Sequence, residues 1–347
     1  MTGTLVTGSD GRDGRPVVIA HRGASGERPE HTLEAYHLAI EQGADFVEPD
    51  LVATRDGVLV CRHENEISGT TDIVRRTDFA ARRTTKTIDG AAVTGWFTED
   101  FTLAELKTLR ARERLPELRG TAFDVRFEVP TFEEVLDLVA PANAHPERRH
   151  RPVGVYPETK HPSYFEALGL PLEKPLLEAL RRHGLDRADA PVFIQSFEVG
   201  NLRRLAQLTR VPLIQLIDAE GRPWDFTLGR FSRTYADLVR PEGLRDIAAY
   251  ARGIGVHKSL VLPRDGAERL RPPTSLVRDA HAAGLLVLVW TLRAENAFLP
   301  AELRRGTEPA ARGDMAAEAS LFLKAGVDGC FTDHPAIGVA ARESFAR

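Results

Sequence analysis

Residues 17–51 have the sequence VVIAHRGASGERPEHTLEAYHLAIEQGADFVEPDL, in which two short apolar runs flank a stretch with helical spacing. Gly43 lies just before the second run, at a position where glycine commonly ends a helix. Short runs rich in Val and Ile are typical of strands that are buried on both faces of a parallel sheet. This part of the chain therefore predicts a strand, a helix and a second strand.

The same alternation continues to the end of the chain. It predicts strands at residues 17–21, 45–51, 153–158, 191–196, 212–217, 253–256, 285–291 and 329–333. The predicted helices are residues 32–42, 131–139, 172–183, 199–208, 243–252, 274–283 and 315–325. Eight strands with intervening helices favour an α/β fold of the (β/α)8 TIM-barrel type. We expect one barrel domain over residues 17–347, after a flexible polar lead-in at residues 1–16.

Two stretches depart from this alternation. Residues 51–63 contain an Asp-Gly turn at positions 56 and 57, which predicts a β-ribbon rising from the second strand. Residues 64–129 are polar and weakly periodic, and they predict an inserted segment over the barrel mouth, with one helix at residues 103–110. Because long insertions in compact domains are more often functional than idle, a role in covering the substrate is expected.

The overall composition excludes several classes of protein. With 46 basic and 50 acidic side chains, the formal net charge of -4 gives no broad field that would attract nucleic acid or an anionic membrane. No apolar run approaches the roughly 20 residues that span a bilayer, so we expect no stable membrane insertion. Residues 1–16 have no hydrophobic signal region, which favours a cytoplasmic protein; an exported protein whose leader has been removed is the alternative.

The chain has two cysteines, Cys61 and Cys330, without a CxxC motif or a Cys/His cluster. This excludes a disulfide-dense scaffold and a thiolate zinc site. A single disulfide between the two is possible, but two small buried thiols within strands are the better interpretation.

Charged side chains lie at the ends of the first two predicted strands. His21 and Arg22 end the first strand, where an unpaired buried cation would be costly. A structural histidine beside a surface arginine explains this pair equally well. Glu48 and Asp50 lie two residues apart on the second strand and so project to the same side. Two adjacent carboxylates repel each other and are usually balanced by a divalent cation or a basic partner.

Two later stretches add polar groups at the same end of the predicted barrel. The ribbon returns His63 alongside the carboxylates, where it is a candidate general acid or base. The third strand ends in Glu158, followed by Lys160. Three carboxylates at neighbouring strand ends suit calcium or magnesium, with positions left open for phosphate oxygens. Arg22 and Lys160 would then balance the charge of the phosphate.

Weaker candidates follow from the same position in the predicted strands. Gln195 closes the fourth strand and could donate a hydrogen bond to a phosphate or a hydroxyl. Trp290 closes the seventh strand and could pack on a small polyol, although a core position explains it nearly as well. Asp333 and His334 follow the last strand and are equally well explained as helix-capping residues.

Taken together, these residues form a recognisable pattern. His21-Arg22, the Pro-Glu-His-Thr sequence at 29–32, Glu48-x-Asp50 and His63 resemble the signature of the glycerophosphodiester phosphodiesterase family. The similarity is closest to the longer, exported (periplasmic-type) branch. Further support comes from TFEE at 131–134, YPETK at 156–160 and AGVDGCFTD at 325–333, so the resemblance covers nearly all of the chain from Val17 onward.

The resemblance implies a function as well as a fold. It implies metal-dependent hydrolysis of small glycerophosphodiesters to glycerol 3-phosphate and an alcohol such as choline or ethanolamine. It places the divalent ion, calcium in preference to magnesium, on Glu48, Asp50 and Glu158. It makes His21 and His63 catalytic and has Arg22 bind the phosphate with the assistance of Lys160. Gln195 and Trp290, chosen for their positions at strand ends, complete the substrate-binding candidates.

This chain departs from the common family pattern at two positions. His31 stands where the common form has Asn, although the exported branch also resembles Pro-Glu-His-Thr. Glu64 stands where the family usually has Asp after the second histidine. The extra methylene should preserve the charge but move any hydrogen bond that orients His63.

Two other functions fit the sequence less well. A phospholipase D-like or lysophospholipase D-like enzyme would act on acylated substrates and would need an apolar groove. A non-catalytic phosphate-binding barrel could have lost a histidine or a metal carboxylate, whereas this chain keeps all of them. We expect a small-molecule substrate and no nucleic-acid partner, and a homodimer is possible.

Overall fold

The computed structural model describes residues 14–145 and 151–345. Most of the predicted lead-in, residues 1–16, lies outside this range. The strands are β1 (Val17–His21), β2 (Phe46–Glu48), β3 (Asp50–Ala53), β4 (Leu59–Cys61), β5 (Thr84–Ile88), β6 (Ala91–Gly95), β7 (Gly154–Val155), β8 (Glu158–Thr159), β9 (Ile194–Ser196), β10 (Leu213–Ile217), β11 (Gly253–His257), β12 (Leu286–Leu292) and β13 (Gly329–Thr332).

Helices alternate with the strands along most of the chain. They are α1 (Leu33–Glu41), α2 (Leu103–Leu106), α3 (Pro116–Arg119), α4 (Phe132–Ala144), α5 (Pro162–Ala167), α6 (Glu173–Arg182), α7 (Val199–Leu208), α8 (Trp224–Leu228), α9 (Tyr235–Leu238), α10 (Pro241–Ala248), α11 (Leu276–Ala282), α12 (Met315–Lys324) and α13 (Pro335–Phe345).

The parallel strands form a ring. β1 pairs with β2 on one side and with β13 on the other, and parallel pairing continues from β8 through β9, β10, β11 and β12 to β13. The ring is completed by β2 pairing with β7 and β3 pairing with β8. The expectation of a TIM-barrel-like α/β fold is confirmed by this arrangement.

The second and third predicted strands are each divided into two short strands. Pro49 separates β2 from β3, and Tyr156 and Pro157 separate β7 from β8. Because proline has no backbone N–H, it cannot donate to a neighbouring strand, and the ladder is interrupted there. Both interruptions lie directly beside the predicted metal carboxylates.

Side-chain and glycine caps mark several helix ends. Thr32 begins α1, its side chain accepting a hydrogen bond from the Ala35 N–H at 3.1 Å. The four glycines at positions 43, 184, 284 and 326 all have a left-handed backbone, with φ between 67° and 91°. This conformation is the one that favours glycine after a helix, so these predicted C-caps are confirmed.

Two predicted helices have different bounds in the structure. α4 continues past the predicted end at residue 139, and Asn143 in its last turn exchanges hydrogen bonds with the backbone of Val153. α10 begins at Pro241, a residue suited to the first helical position, and ends at Ala248 instead of residue 252. The later end is not reached because the Arg252 N–H donates to the Leu213 carbonyl as the chain enters β11.

The inside and the outside of the barrel have separate apolar clusters. Inward-facing side chains fill the interior, among them Ile19, Phe46, Tyr156 and Phe331. A larger cluster packs the helices on the outer face of the sheet. Cys61 and Cys330 are both buried and free, so the predicted thiols are confirmed. The interior is therefore a packed core that supports the mouth above it.

The predicted ribbon and the segment that follows it have different outcomes. β3 and β4 pair antiparallel, with Leu51 opposite Cys61, so the ribbon is confirmed. In residues 64–129 the antiparallel hairpin of β5 and β6 was not predicted, and the predicted helix at 103–110 is reduced to α2. α2 ends early because the Thr108 hydroxyl donates to the Glu105 carbonyl and Asp72 accepts from the Arg110 N–H.

No helix within residues 14–145 and 151–345 has the length and apolar character needed to cross a membrane.

A glycine in β13 tests how closely the barrel strands approach each other. A Cβ added at Gly329 would lie 2.6 Å from the carbonyl oxygen of Val17 in β1. We expect Gly329→Ala to lower the free energy of unfolding by about 1–3 kcal/mol, because backbone atoms must move apart. Urea unfolding followed by circular dichroism measures this. Gly266→Ala is the matched control, since nothing lies within 4 Å of its added Cβ. Equal stability of the two variants would contradict the prediction.

Candidate active site

Three carboxylates meet where β2, β3 and β8 approach the barrel mouth. Glu48 ends β2, Asp50 begins β3, and Glu158 begins β8, where it pairs with Asp50 across the ladder. All three residues are at most 5% exposed, and one carboxylate oxygen of each lies within 4.8 Å of the others. In the part of the chain that the structure describes, this is the one cluster of three such side chains.

The electrostatics of this triad show how strongly its members repel one another. Burial raises the pKa of Glu48 well above its usual range, and the charges of Asp50 and Glu158 raise it further. Burial and the charge of Asp50 raise the pKa of Glu158 to about 8, although Lys160 opposes this. Burial also disfavours the charge of Asp50, but Lys160 and His31 hold its pKa well below the usual value.

The triad is suited to a divalent cation. Its donors are hard carboxylate oxygens, which calcium and magnesium prefer. The Oδ1 atom of Asp50 is buried and has no hydrogen-bond partner among the described residues, so a ligand position is left open. A cation there would also remove the repulsion that raises the pKa values of Glu48 and Glu158.

Two basic side chains flank the triad. Arg22 donates its backbone N–H to Glu48 at 2.9 Å and Nη1 to Glu30 at 3.0 Å, and its Nε lies 3.3 Å from Asp50. Lys160 donates to Glu158 at 2.8 Å. Burial lowers the pKa of both bases, but the neighbouring carboxylates outweigh it and raise both values. Both groups therefore stay cationic beside the site.

His31 orients one member of the triad. Its Nε2 lies 2.9 Å from Asp50 and its Nδ1 lies 2.7 Å from the Tyr36 hydroxyl, and the residue is fully buried. The backbone at His31 is left-handed, with φ 53°, a conformation in which asparagine and histidine are both enriched. Histidine can thus occupy the position of the common Asn and bind Asp50 of the triad.

His21 is held by a carboxylate at the end of β13. Its Nδ1 lies 2.6 Å from Asp333 Oδ1, while Oδ2 of Asp333 accepts from Arg119 at 2.6 Å and from Arg293 at 2.7 Å. Burial and the charge of Arg22 lower the pKa of His21 to about 4, against the opposing effect of Asp333. The Asp333 side chain therefore binds His21, which the capping interpretation of Asp333 did not foresee.

His63 is held in a similar way by the residue that follows it. Its Nδ1 lies 2.5 Å from Glu64 Oε1, and Glu64 in turn accepts two hydrogen bonds from Arg114. Burial, followed by the charges of Arg22 and Lys160, lowers the pKa of His63 to about 3, although 30% of the side chain remains accessible. Glu64, although one methylene longer than the usual Asp, hydrogen-bonds to His63.

These groups line one cavity of about 710 Å³ at the mouth of the barrel. Both histidines, Arg22, Glu48, Glu158 and Lys160 contribute to its wall. Gln195 also lines it, but its amide donates to Glu48 at 3.1 Å and so supports the triad. Trp290 lines it as well, with its indole N–H donated to the Gly255 carbonyl at 3.0 Å. The structure thus brings all nine predicted site residues to one end of the barrel.

Five residues of the site were not assigned a function from the sequence: Glu30, Arg114, Arg119, Arg293 and Asp333. Two of them carried a signal. Glu30 lies within the Pro-Glu-His-Thr sequence, and Asp333 ends the strand that must neighbour the first one in a closed barrel. Arg114 and Arg119 lie in the irregular segment 64–129, where no periodicity indicates which side chains turn inward.

Comparison with known proteins places this geometry in a family. A model of the glycerophosphoryl diester phosphodiesterase family matches residues 21–337. The chain belongs to this family. A glycerophosphodiester phosphodiesterase of Arabidopsis thaliana, GDPD6, is 38% identical over 332 residues, which cover 92% of this chain and 84% of that protein. A glycerophosphodiester phosphodiesterase of Haemophilus influenzae is 28% identical and covers 93% of this chain and 88% of its own.

Solved structures of more distant proteins share the fold. A structure from Silicibacter pomeroyi has a TM-score of 0.64 and 23% identity, covering 98% of this chain and 97% of its own. A phosphodiesterase of Oleispira antarctica, solved in complex with the product sn-glycerol-3-phosphate, has a TM-score of 0.57 and 22% identity, with coverages of 95% and 97%. The resemblance to the family that the sequence predicted is therefore confirmed.

The raised pKa values of the triad predict that metal binding releases protons. Without metal, Glu158, with a pKa of about 8, holds a proton at pH 7, and a divalent cation must displace it. We expect the affinity for Ca²⁺ to rise roughly tenfold per pH unit below that pKa, for one proton released. Calorimetric titration in buffers of different ionisation enthalpy measures the release. Glu158→Gln should release fewer protons than the wild type, and a binding heat independent of buffer would contradict the prediction.

Proposed function

We propose that this protein is a metal-dependent enzyme that hydrolyses glycerophosphodiesters to glycerol 3-phosphate and an alcohol. The observation that carries the proposal is one cavity lined by both histidines and by Glu48 and Glu158 of the carboxylate triad, with each histidine held by its own carboxylate. A structural or purely binding barrel has no need of two such histidines. Membership of the family and the product bound to the Oleispira antarctica neighbour support the same reaction.

Glu48, Asp50 and Glu158 would hold the divalent ion, which would polarise a phosphoryl oxygen as a Lewis acid and neutralise developing charge. Calcium is favoured and magnesium is the alternative. Arg22 and Lys160 bind the phosphate as cations that are already held beside the triad. Gln195 and Trp290 lie on the same cavity wall, where they contact the glycerol or the departing alcohol.

His21 and His63 divide the proton transfers. One accepts a proton from the nucleophile and the other gives a proton to the oxygen of the departing alcohol. Burial, followed by the charges of Arg22 and Lys160, lowers the pKa of His63 in the free protein, so a bound phosphate anion that neutralises the two cations would raise it in part. The substrate thereby helps to supply a protonated histidine. Water and the neighbouring glycerol hydroxyl both suit the role of nucleophile, and the hydroxyl would give a cyclic intermediate.

We also propose that residues 64–129 are an insertion into a single barrel domain of residues 17–347 and that this insertion covers the site. Arg114 and Arg119 reach the histidine carboxylates from this segment. Elsewhere in the segment, Gly90 lies in the turn between β5 and β6. It approaches the ring of Trp224 so closely that an added Cβ would lie 2.8 Å away. The segment is therefore fixed to the mouth at separate points. The flexible lead-in at residues 1–16, a cytoplasmic location and a homodimer stay predictions.

A direct test uses the purified protein with glycerophosphocholine, glycerophosphoethanolamine and lysophosphatidylcholine. We expect turnover of the first two with release of glycerol 3-phosphate, and complete loss of activity after EDTA treatment. Activity should return with Ca²⁺ or Mg²⁺, and the more effective ion identifies the preferred metal.

The alternatives give different results in the same assay. Faster hydrolysis of the acylated lipid would favour a lysophospholipase D-like enzyme. Binding of glycerol phosphates without turnover, in metal-loaded protein, would favour the non-catalytic barrel. Full activity after exhaustive treatment with the chelator would contradict metal dependence.

Substituting each histidine separates their roles. We expect His21→Ala and His63→Ala to lower kcat for glycerophosphocholine by roughly 10²–10⁴-fold, with a smaller change in KM. With a nitrophenyl ester of glycerol phosphate, whose leaving group needs no protonation, the variant that lacks the general acid should recover most of its activity. His37→Ala is the control, because that side chain is 60% exposed on α1. If each variant lost as much activity with the nitrophenyl ester as with glycerophosphocholine, the division of roles would be contradicted.

A further inference from the structure

One short stretch within residues 64–129 contacts the two carboxylates that hold His21 and His63. Arg114 and Arg119 lie at the two ends of residues 114–119, which include the single turn of α3. Each donates to a carboxylate that binds a histidine: Glu64 for His63, and Asp333 for His21. The two histidines come from different parts of the barrel, so they share this stretch as a common support.

Arg119 is the more deeply buried of the two, with its side chain 8% exposed. Its Nη2 donates to Asp333 at 2.6 Å, its Nε donates to Glu295 at 2.6 Å, and its Nη1 donates to the Ser25 carbonyl at 2.8 Å. Three acceptors in three directions fix the guanidinium plane. Because Arg119 and Arg293 both donate to Asp333 Oδ2, Oδ1 is left facing His21.

Arg114 forms a bridge between two carboxylates. It donates two hydrogen bonds to Glu30, at 2.6 and 2.7 Å, and two to Glu64, at 2.7 and 3.0 Å. Glu30 also accepts from Arg22, so the same guanidinium supports both His63 and the cation beside the metal triad. Fork-shaped, charge-assisted contacts of this kind fix the geometry as well as contributing energy.

We propose that Arg114 and Arg119 are positioning residues, which set the orientation of His63 and His21 through Glu64 and Asp333. The proposal rests on the proposed function. Neither arginine is among the residues that line the cavity, so each would act through the carboxylate that it binds. Loss of Arg114 removes both hydrogen bonds that it donates to Glu64, and loss of Arg119 leaves Asp333 Oδ2 with Arg293 alone. The carboxylate is then less firmly fixed in direction, and the histidine bound to it can turn away from the reacting atoms.

A simpler role would be to hold the segment on the barrel, and double-mutant cycles separate the two. The variants are Arg119→Ala, Asp333→Asn and Glu64→Gln, with Arg119→Ala combined with each carboxylate change. We expect Arg119→Ala to lower kcat by roughly 10–100-fold with little change in KM. In the Asp333→Asn background, Arg119→Ala should lower kcat by less than about threefold, because the carboxylate through which Arg119 acts on His21 has already been removed. In the Glu64→Gln background, Arg119→Ala should lower kcat by the same factor as in the wild type.

The corresponding cycle for Arg114 reverses the two backgrounds and adds an expected change in KM. Arg114→Ala should lose its effect on kcat in the Glu64→Gln background and keep it in the Asp333→Asn background. Its KM should rise, because Glu30 loses the two hydrogen bonds from Arg114 and so holds Arg22 less firmly. Arg126→Ala is the matched control: Arg126 belongs to the same segment, and its guanidinium lies 5.6 Å from the ring of Phe123, outside the catalytic cavity. Where alanine leaves too little folded protein, Arg119→Lys and Arg114→Lys are used in the same cycles.

A spectroscopic measurement keeps the inference separate from the proposed function. In protein labelled with ¹⁵N-histidine, the Nδ1 proton of His21, shared with Asp333, should give a downfield signal. We expect this signal to shift or broaden in Arg119→Ala and to persist in Arg126→Ala. An unchanged signal in Arg119→Ala, or equal effects of Arg119→Ala in both carboxylate backgrounds, would overturn the proposal. A wild type that turns over no glycerophosphodiester but shows the expected signal would overturn the function alone.

Discussion

Mutual repulsion of three buried carboxylates is the constraint on which the barrel mouth depends. One carboxylate oxygen of each of Glu48, Asp50 and Glu158 lies within 4.8 Å of the others, and the three side chains are almost fully removed from water. Each is balanced by a neighbour: Gln195 donates to Glu48, His31 binds Asp50, and Lys160 pairs with Glu158. These partners lie on different elements of the barrel, so the fold must close before the charges can be accommodated.

The parts of the site that lie on strands could be predicted from the sequence. Strand residues alternate in direction and parallel strands end at a common edge, so the positions of Glu48, Asp50 and Glu158 in the pattern place them together. His63 was predictable for a related reason, since the ribbon returns alongside the strand that carries the carboxylates. The expectation of calcium and the choice of substrate class came from the family resemblance, because spacing alone does not distinguish one phosphodiester from another.

The remaining parts depend on interactions that periodicity does not describe. Asp333 could begin a helix or bind a histidine, and only the direction of its side chain decides between them. α2 is shorter than the pattern indicated, because Thr108 and Asp72 compete for the backbone groups that a longer helix would use. Arg114 and Arg119 lie in irregular chain, where tertiary contacts determine which side chains face inward.

The position of these two arginines has an evolutionary consequence. The strands β5 and β6 are mostly exposed, and the hairpin contacts the mouth through its turn at Gly90, so we expect a change in strand length to affect the histidines less than a change at residues 114–119. The six residues 114–119 are more constrained, because an insertion or a deletion there would displace both guanidinium groups together. We therefore expect selection to preserve the length of this stretch as strictly as that of a barrel strand, although it lies in a region that otherwise tolerates change.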